Sequence, residues 1–181
     1  AIRKAKAELA VLSQALEQFK ARYGDYPWHD SAEGDYPTPV GDKPTNTMLH
    51  YALTGRLSME RLDNGDLEVS KIHNSLDDPA VEARPKFIDP TKFSTSGTEA
   101  APAELLDPWG EPYIYWYKLE DSENTTPGGA WKVMGFHLYS TGPKGGPANE
   151  ALKAKIEEST GVMDRDFRET AEEEGIIFAG E

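Results

Sequence analysis

The chain contains no cysteine, which removes disulfides, thiolate zinc sites and cysteine nucleophiles and leaves the redox compartment open. Basic charge is scarce: 19 Lys and Arg stand against 32 Asp and Glu, a formal charge of −13. Nucleic-acid binding needs a basic footprint, so no nucleic-acid partner is expected; the acidic excess reads as a well-solvated surface. No apolar run approaches the ~20 residues that span a bilayer, and no secretory leader is visible. The first residues read as helix, yet no Ser, Thr, Asp or Asn precedes them as a cap, and there is no initiating Met. What the chain has in quantity is turn-forming residues, 16 Gly and 13 Pro, so a large share must be loop. Its 181 residues suit a single domain over 1–181.

The strongest periodic signal lies at the start. Ile2, Ala5, Leu9, Leu12, Leu16, Phe19 and Tyr23 recur at spacings of three and four, one stripe of a helix. Arg3, Lys4, Lys6, Glu8, Gln14, Glu17, Gln18, Lys20 and Arg22 occupy its other faces, and Gly24 and Pro27 stop it. This predicts a helix over 1–23, a rod of roughly 35 Å.

Residues 28–106 read as a variable, loop-rich region that wraps over a scaffold. Within it, "NTMLHYALTGR" suggests a short helix capped by Asn46, with Met48, Leu49, Ala52 and Leu53 as its apolar face. "DLEVSKI" suggests a strand burying Leu67, Val69 and Ile72. "KFIDPTKFSTSGTEAAPAEL" reads as irregular. Over 107–146, "DPWGEP" is a turn, and "YIYWY" and "WKVMGFHLY" are strands that should pair as an antiparallel hairpin. Over 147–181, "EALKAKIEES" is a helix bearing Leu152 and Ile156. "DRDFRETAEEE" is a weaker one with Phe167 and Ala171, and "IIF" should pack back onto the domain. The expected class is α+β: a long amphipathic helix laid across a small antiparallel sheet that includes 112–117 and 131–139, with an extended irregular insertion.

Signals for chemistry are weak. His29, His50, His73 and His137 lack metal-ligand spacing and read as surface or strand-packing residues. There is no Gly-x-Ser-x-Gly elbow, no phosphate-binding loop and no dinucleotide fingerprint. With so many acids, chance carboxylate pairs are expected, so none marks a glycosidase. The reading is therefore non-enzymatic. Trp28, Trp109, Trp116 and Trp131 have core packing as their ordinary role. A second reading keeps them, with the central insertion, as an extracellular module for a ligand such as a carbohydrate.

Three segments in order carry a resemblance: the long helix ending in "YGDYP", the later "DPWGEPYIYWY", and a strand ending in "FHLYSTGPKGG". Together they resemble the pseudopilins of bacterial type II secretion systems, the major pseudopilin above all, within the type IV pilin-like superfamily. The motif positions are Asp107, Pro108, Trp109, Gly110, Pro112, Tyr113, Tyr139, Ser140 and Gly142. The resemblance covers the first ~27 residues and 107–146, and implies a pilin-like fold and a filament subunit of a pseudopilus. It implies an upstream apolar helix half that anchors the full-length protein in the bacterial inner membrane, with a processed, methylated N-terminus and this domain periplasmic or extracytoplasmic. The uncapped start is then expected to lie inside one continuous helix. Implied partners are further copies, other pseudopilins, inner-membrane components of the secretion system and the membrane itself. Ile2, Ala5, Leu9, Leu12, Leu16 and Phe19 would form the assembly helix, with Ile2 and Ala5 poorly buried in the isolated domain. Two departures stand out. The stretch between Pro27 and Asp107 is longer than in ordinary major pseudopilins. The family also holds calcium in the loop after the second strand, using an acid where this chain has Lys144; an ammonium there repels Ca²⁺, so no cofactor or metal is expected.

Overall fold

A computed structural model of the chain describes residues 1–27, 46–65, 67–73, 75–117, 136–145 and 165–179. Helix α1, Ile2–Tyr23, begins at Ala1 without a side-chain cap. It ends where Gly24, at φ 100°, returns its N–H to Lys20 O at 2.7 Å. A left-handed glycine is the common device there because it has no Cβ to clash. Ala5, Leu9, Leu12, Ala15, Leu16 and Phe19 are buried along one side, and that side packs on β1, β6, β7 and α2.

Among the described residues the remaining elements are α2 (Asn46–Leu53), β1 (Leu57–Arg61), β2 (Leu67–Ile72), α3 (Pro79–Glu82), a 3₁₀ turn (Pro90–Lys92), β3 (Ser94–Gly97), β4 (Pro102–Leu106), β5 (Ile114–Tyr117), β6 (Phe136–Ser140), α4 (Arg165–Glu173) and β7 (Ile177–Phe178). The strands form antiparallel ladders β1–β2, β3–β4 and β5–β6–β7. The protein is thus a mixed α+β fold with an N-terminal helix and small antiparallel sheets. The expected hairpin pairs Ile114 with Tyr139 and Tyr117 with Phe136. The tail "IIF" does more than pack back: Ile177 and Phe178 pair with Ser140 and Tyr139 as a third strand. No helix among the described residues is long and apolar enough to cross a membrane. The expected helix over "EALKAKIEES", and residues 131–135 of the second strand, lie outside the described residues.

The central region departs from expectation. Rather than wrapping a finished scaffold, it contributes Met48, Leu49, Ala52, Leu53, Leu57, Met59, Ile72, Ile88 and Leu105 to the same core that α1 enters. The stretch read as irregular holds both β3 and β4. Asn46 does not serve as the expected cap, because its Oδ1 accepts the Tyr115 N–H at 3.1 Å and its Nδ2 donates to Glu104 at 3.2 Å. This one side chain joins the start of α2 to β4 and β5.

Two histidines also depart from the surface or strand-packing reading. His50 and His73 are buried, and both are neighbours of Arg56. The Arg56 side chain is 1 % exposed. Its Nε donates to His73 O at 2.9 Å, its Nη1 donates to Pro102 O, and its guanidinium lies 3.6 Å above the Tyr51 ring. It thereby ties the end of α2 to β4 and to the segment after β2. Burial lowers its pKa from the ordinary value, and Tyr51 opposes that shift. Thr54 Oγ spends its proton on His50 O at 2.6 Å, so at 3.4 Å from His50 Nδ1 the hydroxyl can only accept. Burial, with the nearby Arg56 charge, pushes the His50 pKa down to about 4. The imidazole is therefore neutral at pH 7.

Candidate functional site

The motif residues scattered along the sequence converge at one place, where the β4–β5 turn meets the end of β6. Asp107 is 2 % exposed. Its Oδ1 accepts the N–H groups of Trp109 at 2.9 Å and Glu111 at 3.0 Å, closing the "DPWGEP" turn from within. The backbone completes the turn, with Asp107 N donating to Glu111 O at 2.7 Å and Gly110 N to Asp107 O at 3.0 Å. Gly110 takes φ 90° here, which its lack of a Cβ permits. Pro112 bridges back to Leu106.

The other carboxylate oxygen reaches across the fold. Ser140 Oγ, fully buried, donates to Asp107 Oδ2 at 2.6 Å and accepts the Gly142 N–H at 3.0 Å. A buried carboxylate needs its lone pairs satisfied, and these donors come from both motif segments. Gly142, at φ 75°, sits so close to the chain beyond α4 that a Cβ would overlap the Gly175 carbonyl oxygen. Asp107 and Ser140 fasten the β4–β5 turn to the end of β6, and the turn after α4 lies close against Gly142. Tyr139, beside them, is buried against Phe178 with ring centroids 5.6 Å apart. Pro108 and Trp109 are half-buried, and Trp109 packs against the core.

Tyr113 connects this cluster to α1. Its ring is fully buried, and its hydroxyl donates to Glu8 Oε2 at 2.6 Å. Burial first, then the hydrogen bond and charge of Glu8, raise the phenol's pKa well above its ordinary value, so it remains a donor. Lys4 Nζ lies 3.6 Å from the other oxygen of Glu8. The leucine stripe leaves Glu8 on an outer face of the helix, but it is only 9 % exposed. Positions 5, 8, 12, 15 and 19 alternate by three and four as regularly as the stripe of leucines, and this spacing puts Glu8 between Ala5 and Leu12.

The proposed assembly stripe fares differently. Ile2 is 53 % exposed, as expected, but Ala5, Leu9, Leu12, Leu16 and Phe19 are all buried within the chain's own core. Ala5 corrects the expectation of poor burial: it is fully buried, on the side of α1 that packs on β1, β6, β7 and α2. Those five side chains hold the domain together and are not free for a neighbour. The outward face of α1 instead shows Arg3, Ala7, Ala10, Val11 and Gln14.

The turn after β6 closes with Gly145 N donating to Gly142 O at 3.1 Å, and Pro143, Lys144 and Gly145 are exposed on it. Among the described residues no group of three or more His, Asp or Glu could hold a metal ion. The described residues of that turn, 142–145, carry the Lys144 ammonium and no carboxylate, and residues 146–164 lie outside the described residues. Of the four tryptophans, Trp28 and Trp131 and the side chain of Trp116 lie outside the described residues, and Trp109 serves the core. No family model, curated protein or solved structure matches the chain.

Proposed function

We propose that the chain is the extracytoplasmic domain of a pseudopilin-like subunit, which polymerises into a pseudopilus or related type IV pilus-like filament of a protein-secretion system. The observation that carries this reading is the Asp107–Ser140–Gly142 cluster. Residues of "DPWGEP" and "LYSTG", more than thirty positions apart, serve one purpose: they lock the β-sheet, which Tyr113 then fastens to α1 through Glu8. A subunit pulled into a filament by its helix must transmit load between stem and head, and this cluster joins the two.

In this reading α1 continues an upstream apolar helix that anchors the protein in the inner membrane before assembly. Neighbours pack on the outward face of α1 around Ala7, Ala10 and Val11, while the sheets form the outer surface. Subunits repeat by heterologous contacts that do not close, which yields a helical fibre. Energy for assembly comes from a separate ATPase, as the resemblance implies. The chain itself carries out no chemistry and needs no cofactor.

The mature N-terminus of the full-length protein in its native host tests the reading. The expected result, by intact-mass and terminal-peptide analysis, is an N-methylated residue opening an apolar run that continues into Ile2–Tyr23. A terminus made by cleavage at a small-residue signal-peptide site would instead mark an exported binding module.

A further inference from the structure

At the foot of α1 lies a cleft of about 250 Å³, lined by Ile2 and Lys6 of α1, Pro143, Glu172 and Gly175 at the end of α4, and Ile176 and Ile177. Isoleucine and Pro143 form its apolar lining, and Lys6 and Glu172 add one charge of each sign to it. A dry space of ~150 Å³ accepts a benzene ring, so this cleft has room for a branched aliphatic side chain. It is too small for a helix.

The large hydrophobic residues exposed among the described residues are Ile2, Val11 and Leu62. Leu62, 39 % exposed, stands at the tip of the β1–β2 hairpin with Arg61 before it and Asp63 after it. The tip is held in one shape: Gly65 N donates to Leu62 O at 2.9 Å, and Arg61 Nη1 donates to Gly65 O at 2.6 Å. An apolar knob flanked by one charge of each sign thus matches an apolar cleft whose lining includes one charge of each sign.

We propose that the Arg61–Leu62–Asp63 tip of one copy docks into the Ile2–Ile176–Ile177 cleft of a second copy. Leu62 fills the cleft, Asp63 meets Lys6, and Arg61 joins the Glu172 carboxylate, which already pairs with Arg168 at 3.3 Å. Charge pairs of this kind set orientation more than affinity, and a pre-shaped tip loses little freedom on docking. Knob and cleft are different surfaces, so the contact is heterologous and each copy offers both. Its small area makes it a weak contact that becomes significant when many copies align. The inference rests on the filament reading for its setting and names a contact that reading leaves open.

The absence of cysteine gives a clean background for the test. Leu62→Cys and Ile2→Cys variants of the whole chain are mixed in equal amounts and oxidised, and the mixed disulfide is identified by mass spectrometry. The expected result is several-fold more Leu62–Ile2 heterodimer than Leu62→Cys gives with the exposed control Lys92→Cys. The double variant should form a ladder of higher species. Lys6→Glu should lower the yield, and Asp63→Lys on the partner copy should restore it. A heterodimer yield equal to the control, or a preference of Ile2→Cys for itself, would overturn the proposal. The purified chain reports this contact alone. A methylated N-terminus with no cross-link would sink the contact and leave the filament reading standing, and a cross-link on a signal-peptidase product would do the reverse.

Discussion

Replacing Asp107 by Ala removes one side chain and strands three donors. Two of them, the Trp109 and Glu111 amides, lie in a turn whose Gly110 and Glu111 are exposed, so water can replace part of what they lose. The third, Ser140 Oγ, has no exposure at all. A buried polar group left without its partner costs about 1–3 kcal/mol, and bonds to a charged acceptor contribute about 1.5–3 kcal/mol. With one fully desolvated donor and two partly rescued amides, the sum is about 3–5 kcal/mol. Domains of this kind hold roughly 5–15 kcal/mol in total, so the loss is a large share. It lowers Tm by roughly 6–20 °C at 2–4 °C per kcal/mol. The assay is equilibrium urea unfolding of wild type, Asp107→Ala, Ser140→Ala and the double variant, read as midpoint and slope. Because Asp107 and Ser140 share one bond, the double variant should cost less than the sum of the singles, with a coupling of about 1–3 kcal/mol. Asp107→Asn keeps an acceptor for the turn amides and should cost roughly half as much as Ala. An Asp107→Ala midpoint within error of wild type, or strictly additive singles, would refute the claim that this carboxylate joins the two motif segments.

Along α1, Leu16→Ala should cost about 2–5 kcal/mol, since Leu16 is fully buried, whereas Ile2→Ala should stay within about 0.5 kcal/mol; equal melts for both would contradict the packing of the helix. His50 is held neutral in the fold, with its pKa pushed from 6.5 to about 4, so the unfolded chain binds the extra proton between those values. Its contribution is complete above pH 6.5 and falls away toward pH 4, by up to about 3 kcal/mol. A His50→Gln variant should show a flatter stability profile over that window, and a parallel profile would show that His50 is not the group responsible. Gly142→Ala brings a Cβ onto the Gly175 carbonyl, while Gly110→Ala meets nothing within 4 Å. The second should cost only the backbone strain of about 1–2 kcal/mol, and the first clearly more. Equal losses in denaturant midpoint would show that Gly142 is not a close-approach point.

Where side-chain periodicity decides structure, the sequence was readable. The 3–4 spacing from Ile2 to Tyr23 gives α1, and the aromatic alternation of Tyr113–Tyr117 gives β5 and its partner. Strands built without such alternation were invisible. In β1 the residues Leu57, Ser58 and Met59 are all buried in succession, because both faces are covered, so no period of two appears. In β3 the run Ser94–Gly97 has no apolar residue, and only its ladder with β4 makes it a strand. The motif residues could be picked out individually, and Asp107 was legible as a turn former. Its second bond, to Ser140, depends on the register of β6 and the path of the whole chain. Arg56 gave no signal, since an arginine after a helix-ending glycine is ordinarily solvated and here is enclosed by α2, β4 and the segment after β2.

In the proposed filament, this domain packs against other subunits along the outward face of α1. Val11, 47 % exposed on that face, is the position to probe, by placing a photoreactive amino acid there in the full-length protein in its native host. Light-dependent adducts are expected with a second copy of the chain, or with another protein whose mature terminus opens an apolar helix with an N-methylated residue. Adducts confined to unrelated soluble proteins or to glycan, with the full-length protein otherwise intact in the membrane, would contradict it.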